Sequence, residues 1–111
     1  MSSLDELVDW DEISQKAKQR AKARALLVYT QENKKRVLAE EMHKVSSEHS
    51  SCAAQEREAY RSQSYQEYLD NLYRATEDFE SLDFELKMLI ERIGIWRTKQ
   101  STKRAAMQAG G

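Results

Sequence analysis

A heptad repeat runs through almost five heptads of the second half of this chain, from Tyr65 to Trp96. Its a and d positions are filled without interruption by apolar or aromatic residues, until Gln100 and Lys103 end the series. Such a repeat predicts a helix that packs along another helix. The two-residue alternation expected of a strand does not fit it. The residues of this predicted helix–helix seam are Tyr65, Tyr68, Leu72, Ala75, Phe79, Leu82, Leu86, Leu89, Ile93 and Trp96.

Little in the composition opposes helix formation. The chain of 111 residues has no proline, and its three glycines, Gly94, Gly110 and Gly111, all come late. Charged residues make up 33% and hydrophobic residues 40%, which is typical of amphipathic helices and too apolar for a disordered chain. We therefore predict a single all-α domain. It has a helix over about 10–46, a turn over about 46–54, a second helix over about 55–104 and a frayed tail at 105–111.

The first half is less regular than the second. Asp9-Trp-Asp-Glu12 resembles a helix N-terminus, because acids stand in its first turn. The serine-rich segment SSEHSSCAA, residues 46–54, is the best candidate for the turn, although no Gly or Pro enforces it and one unbroken helix stays open as an alternative. An interrupted apolar line predicts the packing side of this first helix. Its members are Ile13, Ala17, Ala21, Ala25, Val28, Leu38, Met42 and Val45.

The charges alternate in blocks along the chain. Residues 1–12 hold five acids and no base, and residues 13–37 hold eight bases and one acid. Residues 60–91 hold eight acids and three bases, and residues 92–111 hold five bases and no acid. If residue i faces about residue 100 − i, each block meets its opposite. This match favours an antiparallel, coiled-coil-like hairpin of two long helices, although two unbroken helices would match equally well.

A second apolar stripe lies outside the seam of the second helix. At 100° per residue, its members fall within about 40° of one another and about 140° from the seam. A hairpin offers no helix to cover this stripe, so we predict an interface with another copy, giving a dimeric four-helix bundle, or with a partner protein. The residues of this predicted interface are Tyr73, Phe84, Met88 and Ile95.

The basic segment KAKQRAKAR, residues 16–24, is a candidate for nucleic-acid contact. Lys16, Arg20 and Arg24 form one stripe at i, i+4 spacing, as phosphate binding requires. No aromatic residue is interleaved to stack on bases, and the net charge of the chain is −1. Nucleic-acid contact is therefore not favoured. It stays as an alternative, together with a phage-type inhibitor of a nucleic-acid enzyme that presents the acidic residues 77–85.

Catalytic and metal-binding patterns are weak. Glu40 and His43 have the Glu-x-x-His spacing that places two ligands on one helical face. A dimer would double this pair, so a carboxylate and histidine metal bundle is a remote alternative. Cys52 is the only cysteine, which excludes an intrachain disulfide, and no nucleophile–base pair or glycine-rich phosphate loop is present. We predict no enzymatic activity, no cofactor and no metal.

The function predicted from these patterns is protein–protein interaction. The chain would act as an adaptor, assembly factor or regulator that binds itself and another protein. It has no signal segment and no apolar run of membrane-spanning length, which predicts a soluble cytoplasmic protein without membrane contact.

Overall fold

The computed structural model describes residues 9–110 and confirms the all-α class, with no strand among these residues. The first eight residues, which belong to the predicted acidic block, and Gly111 of the predicted tail lie outside the described part. The helices are α1 (Trp10–Glu32), α2 (Lys34–Lys44), α3 (Cys52–Arg61) and α4 (Gln63–Gly110).

Helix α1 begins where the acidic signature predicts. The carboxylate of Asp9 accepts the backbone N–H of Glu12 at 3.0 Å, so one of the free donors of the first turn is satisfied. Only Asn33 separates α1 from α2. Its N–H donates to the Tyr29 carbonyl at 3.1 Å, and its carbonyl accepts from Val37 at 3.0 Å. The backbone therefore stays nearly helical from Trp10 to Lys44.

The connection between α2 and α3 runs from Val45 to Ser51, so the chain is not one unbroken helix. Ser51 caps α3, because its hydroxyl accepts the backbone N–H of Ala54 at 3.1 Å. The side-chain amide of Gln55 donates to the carbonyl of His49 at 2.8 Å and ties the connection to the first turn of α3. Helices α2 and α3 pack against each other.

A break at Ser62 corrects the prediction of one helix from about residue 55. Ser62 has extended backbone angles, φ −64° and ψ 149°, and its side chain forms hydrogen bonds with both neighbouring helices. Its hydroxyl donates to the carbonyl of Ala59 at 2.8 Å and accepts the N–H of Tyr65 at 3.1 Å. A serine that satisfies the end of one helix and the start of the next stabilises this break.

Helix α4 also continues beyond the predicted end near residue 104, through to Gly110. Residues 104–109 include three alanines and neither proline nor glycine, so nothing local ends the helix before Gly110. All side chains from 101 to 110 are exposed. This last part of α4 is therefore helical without being buried in the described chain.

The described residues divide into two compact units. Unit 1 consists of residues 9–21 and 80–110, and unit 2 consists of Lys22–Phe79. In unit 1, α1 contacts α4 through Lys16 and Glu85 and through Arg20 and Asp83. In unit 2, the Tyr68 hydroxyl of α4 donates to the Thr30 carbonyl of α1 at 2.5 Å.

The predicted packing side of α1 is wrong beyond Ile13. Ala17, Ala21 and Ala25 follow Ile13 at steps of four residues, and each such step rotates by about 40° away from the contact side. These three alanines and Val28 are exposed. The half-buried side chains of α1 instead follow alternating steps of three and four residues, and they are Ile13, Lys16, Arg20, Ala23, Leu27 and Thr30.

Candidate interaction surfaces

The ten residues of the predicted seam are all buried or half-buried. Four side chains are buried, namely Tyr65, Tyr68, Ala75 and Leu89. The half-buried ones are Leu72, Phe79, Leu82, Leu86, Ile93 and Trp96. Among the other residues of α4, Asp83 and Gln100 are half-buried and the rest are exposed. Gln100 occupies the next a position of the heptad. The burial of α4 therefore follows a period of 3.5 residues.

The second predicted stripe is exposed along its whole length. Tyr73 is 70% exposed, Phe84 66%, Met88 49% and Ile95 52%. We call Phe84, Met88 and Ile95 the outer row of α4. At 100° per residue these three lie within about 40° of one another. No helix of the described chain covers them.

Two shallow grooves border the outer row, and both lie within unit 1. The first, of about 360 Å³, lies between α1 and α4 and is lined by Glu12, Lys16, Phe84, Glu85, Met88, Leu89 and Arg92. The second, of about 190 Å³, is lined by Arg92, Ile95, Trp96 and Lys99. At 100° per residue both grooves fall on one flank of the outer row, and charged side chains line each of them.

Two of the three candidate residues for nucleic-acid contact are engaged with carboxylates. Lys16 lies 2.6 Å from a carboxylate oxygen of Glu85, and the Arg20 Nε donates to Asp83 at 2.7 Å. Arg24 is exposed. The structure does not present the three as one free basic stripe, because two of them already neutralise acids of α4.

Asp83 is the centre of this charged contact. Its second oxygen accepts from Lys87 at 2.7 Å, one turn further along α4. The hydrogen bond from Lys87 and then that from Arg20 lower the pKa of the Asp83 carboxyl below its ordinary value, against the opposing effect of partial burial. Asp83 thereby holds α1 to α4 while it is ionised.

Acid is expected to weaken unit 1 through Asp83. A carboxyl whose pKa is lowered on folding adds stability above its ordinary pKa, and this contribution is lost as the pH falls through the lower folded pKa. The Asp83→Asn variant should therefore show a smaller fall in Tm than the wild type as the pH is lowered from about 5 to about 2. Circular dichroism melts at stepped pH measure this. A Glu80→Gln variant, altered at an exposed position, serves as the control. Parallel Tm curves for wild type and Asp83→Asn would contradict the assigned role.

A second charged contact lies in unit 2, beside the metal candidates. Glu41 is 6% exposed, and it accepts from Lys44 at 2.8 Å. This hydrogen bond, with smaller contributions from the hydroxyls of Ser64 and Ser62, lowers the pKa of Glu41. Glu40 and His43 point elsewhere and are exposed.

The metal candidates do not acquire further ligands in the structure. Among residues 9–110, no group of three His, Cys, Asp or Glu side chains is placed to hold a metal ion. Cys52 is exposed and unpaired with any other thiol of the described chain. Glu40 and His43 therefore remain a two-residue spacing pattern.

Three tyrosines form the aromatic part of unit 2. The rings of Tyr60 and Tyr65 meet edge to face at 5.1 Å, and those of Tyr65 and Tyr68 lie 5.8 Å apart. Burial raises the pKa of the Tyr68 hydroxyl, which donates to Thr30 and stays protonated. This cluster joins the end of α3 to the first turn of α4.

Comparison with protein families, with curated proteins and with solved structures finds no match to this chain. Within the part that the structure describes, no helix is both long enough and apolar enough to cross a membrane. Evidence on function therefore comes from the surfaces of the chain itself.

Sequence reasoning missed two residues that organise these surfaces, Asp83 and Glu41. Asp83 falls outside the a and d positions, and its only sequence signal was the match between basic and acidic blocks. Glu41 stands next to Glu40, and the choice between neighbouring carboxylates depends on the angle at which α2 meets α3. The Glu-x-x-His spacing singled out Glu40 and not Glu41.

Proposed function

We propose that this chain is a helical protein–protein interaction module without catalytic activity of its own. It is an antiparallel hairpin of coiled-coil-like helices that self-associates as a dimer, forming a four-helix bundle. In this form it serves as an adaptor, assembly factor or regulator in the cytoplasm. The exposed outer row of α4 is the observation that carries the proposal.

Contacts within each unit support the antiparallel hairpin. The charge match predicts that residue i faces about residue 100 − i. In unit 1, Lys16 meets Glu85 and Arg20 meets Asp83, so the partner number falls as the residue number rises. In unit 2, Thr30 accepts from Tyr68, close to the predicted residue 70. Each unit, taken by itself, agrees with the same pairing rule.

The exposure pattern of α4 supports self-association. A surface helix of a monomer ordinarily has one apolar stripe, because its opposite side faces water. Helix α4 has the seam and also the outer row, whose three side chains are each about half exposed or more. Exposed apolar side chains aligned along one face of a helix, here interrupted by Glu91, mark an interaction site. The simplest partner that carries a matching surface is a second copy.

Replacing Phe84 and Met88 together by Glu is expected to dissociate the dimer. Each new carboxylate would have to lose water at the interface without a partner, which costs more than a modest interface can offset. Light scattering at tens of micromolar protein should give a dimer mass for the wild type and a monomer mass for the double variant. Circular dichroism should show that helicity is kept, because both side chains are exposed in the monomer.

A matched control removes exposed apolar residues elsewhere. Leu26 and Tyr29 of α1 are 54% and 60% exposed. The Leu26→Glu, Tyr29→Glu variant adds the same charge and should keep the dimer mass. A monomeric wild type would overturn self-association. Equal dissociation by both double variants would show that added charge, and not the outer row, decides the mass.

A further inference from the structure

We propose that two copies pair through antiparallel α4 helices, with residue i of one copy opposite about residue 178 − i of the other. This proposal rests on the proposed self-association and specifies its geometry. Phe84 of each copy then lies against Ile95 of the other, and Glu85 of each lies beside Arg92 of the other. The interface is complete only when both copies contribute these residues.

The first argument is the spacing of the outer row. Phe84, Met88, Glu91 and Ile95 follow one another at steps of four, three and four residues. Ser81 before them continues the same alternation, and so does Thr98 after them. All six residues are exposed. Alternating steps of three and four are the spacing by which one helix packs along another, so these six residues form a second seam on α4, in which Glu91 is the charged member.

The second argument is the sign of the charges on one flank of this second seam. Glu85 and Arg92 are two turns apart and project on the same side of the row, because seven residues rotate the helix to only about 20° short of two full turns. In a parallel pair, Glu85 would face Glu85 and Arg92 would face Arg92. In an antiparallel pair centred near Leu89, each Glu85, which already lies 2.6 Å from Lys16 of its own chain, also meets an Arg92 of the other copy. Like charges across an interface disfavour the wrong orientation, so the antiparallel one is selected.

The third argument is the shape of the surface. The groove beside Phe84 and Met88 is completed by Glu12 and Lys16 of α1, and Arg92 lines both this groove and the one beside Ile95. An apolar side chain from a second helix can therefore lie in each groove, with an acidic neighbour next to Arg92. Phe84 followed by Glu85 is such a pair of residues. The outer row thus carries both the side chains and the grooves that an antiparallel second copy requires.

Disulfide trapping tests the orientation directly. In a Cys52→Ser background, Ser81→Cys and Thr98→Cys place small, exposed thiols at positions that face each other in the proposed register. The two copies of residue 81 would lie about 25 Å apart at 1.5 Å per residue, too far for a bond. Mild oxidation of an equimolar mixture of the two single variants should therefore give the mixed 81–98 dimer. Each variant alone should stay uncrosslinked.

The outcomes separate the two proposals. Crosslinking of either single variant with itself would show a parallel pair and overturn this proposal while keeping self-association. Absence of the mixed crosslink, when light scattering shows a dimer, would place the interface elsewhere. A monomer mass for the wild type would overturn the proposed function, and this inference with it.

A charge exchange tests the proposed ion pair. Arg92→Glu should raise the dissociation constant of the dimer by about tenfold, because it places acids together at two symmetry-related positions. Adding Glu85→Arg together with Lys16→Glu, so that the pair within each chain is kept with its charges reversed, should recover most of this loss. Arg97→Glu makes the same charge change about 140° further around α4 and should leave the dissociation constant near the wild-type value. An equal effect of Arg92→Glu and Arg97→Glu, without recovery, would contradict the register.

Discussion

Replacing Leu89 by Ala is expected to lower the free energy of unfolding by about 2–4 kcal/mol, the range for a buried leucine that leaves a cavity. Leu89 is only 8% exposed and occupies a d position of the α4 seam. Leu86→Ala should cost less within the same range, because Leu86 is half-buried and its neighbours can relax into the space. Urea unfolding followed by circular dichroism measures both losses.

The neighbouring residue provides the matched control for this prediction. Ile90 is of similar size but is 54% exposed, so Ile90→Ala should change the free energy of unfolding by well under half as much. Protein concentration must be held constant, since the apparent stability of a self-associating chain depends on it. Equal urea midpoints of unfolding for wild type, Leu86→Ala and Leu89→Ala would contradict the assignment of these leucines to the heptad seam.

The seam of α4 could be predicted from sequence because a periodicity and the composition agree there. The 3.5-residue repeat of apolar side chains and the absence of proline both act over a long stretch. Burial then follows from the angle of each residue around one continuous helix, without knowledge of its partner. The end of the pattern at Gln100 was visible as well, although the helix itself continues to Gly110.

The packing side of α1 could not be predicted in the same way. Its half-buried positions include Lys16 and Arg20, which a hydrophobic pattern rejects. Long basic side chains can cover apolar surface with their stems while their charges reach outward to acids. Here those acids are Glu85 and Asp83, which lie more than sixty residues away in sequence. The alternating blocks of charge predicted that basic residues of the first helix meet acidic residues of the second. Only the fold shows which residues form each pair.

The break at Ser62 depends on local hydrogen bonds that compete with helix continuation. Serine is a modest helix former that favours helix ends when its hydroxyl finds a backbone partner. Seven residues before Tyr65 and Tyr68, the a and d positions hold the charged Glu58 and Arg61, and this interruption of the heptad just before Ser62 was the available signal. This interruption shows where the seam begins. Only the backbone angles of Ser62 show that α3 and α4 are separate helices.

Replacing Tyr65 by Ala is expected to have the largest effect in unit 2, about 3–5 kcal/mol of unfolding free energy, as for other buried aromatic residues. Tyr65 is 3% exposed. Its ring contacts Tyr60 edge to face and also lies beside Tyr68. Its backbone N–H is held by Ser62, so the side chain is anchored at the junction of two helices. Urea unfolding followed by circular dichroism measures the loss.

Two variants separate ring packing from other effects of this substitution. Tyr65→Phe keeps the ring and should cost far less than Tyr65→Ala, because the edge-to-face contact with Tyr60 is retained. Tyr73→Ala removes the same side chain at a position that is 70% exposed and should change stability little in the monomer. If Tyr65→Ala were no more damaging than Tyr73→Ala, the tyrosine cluster would not hold α3 to α4. The stability of this junction would then depend on the backbone capping by Ser62 instead.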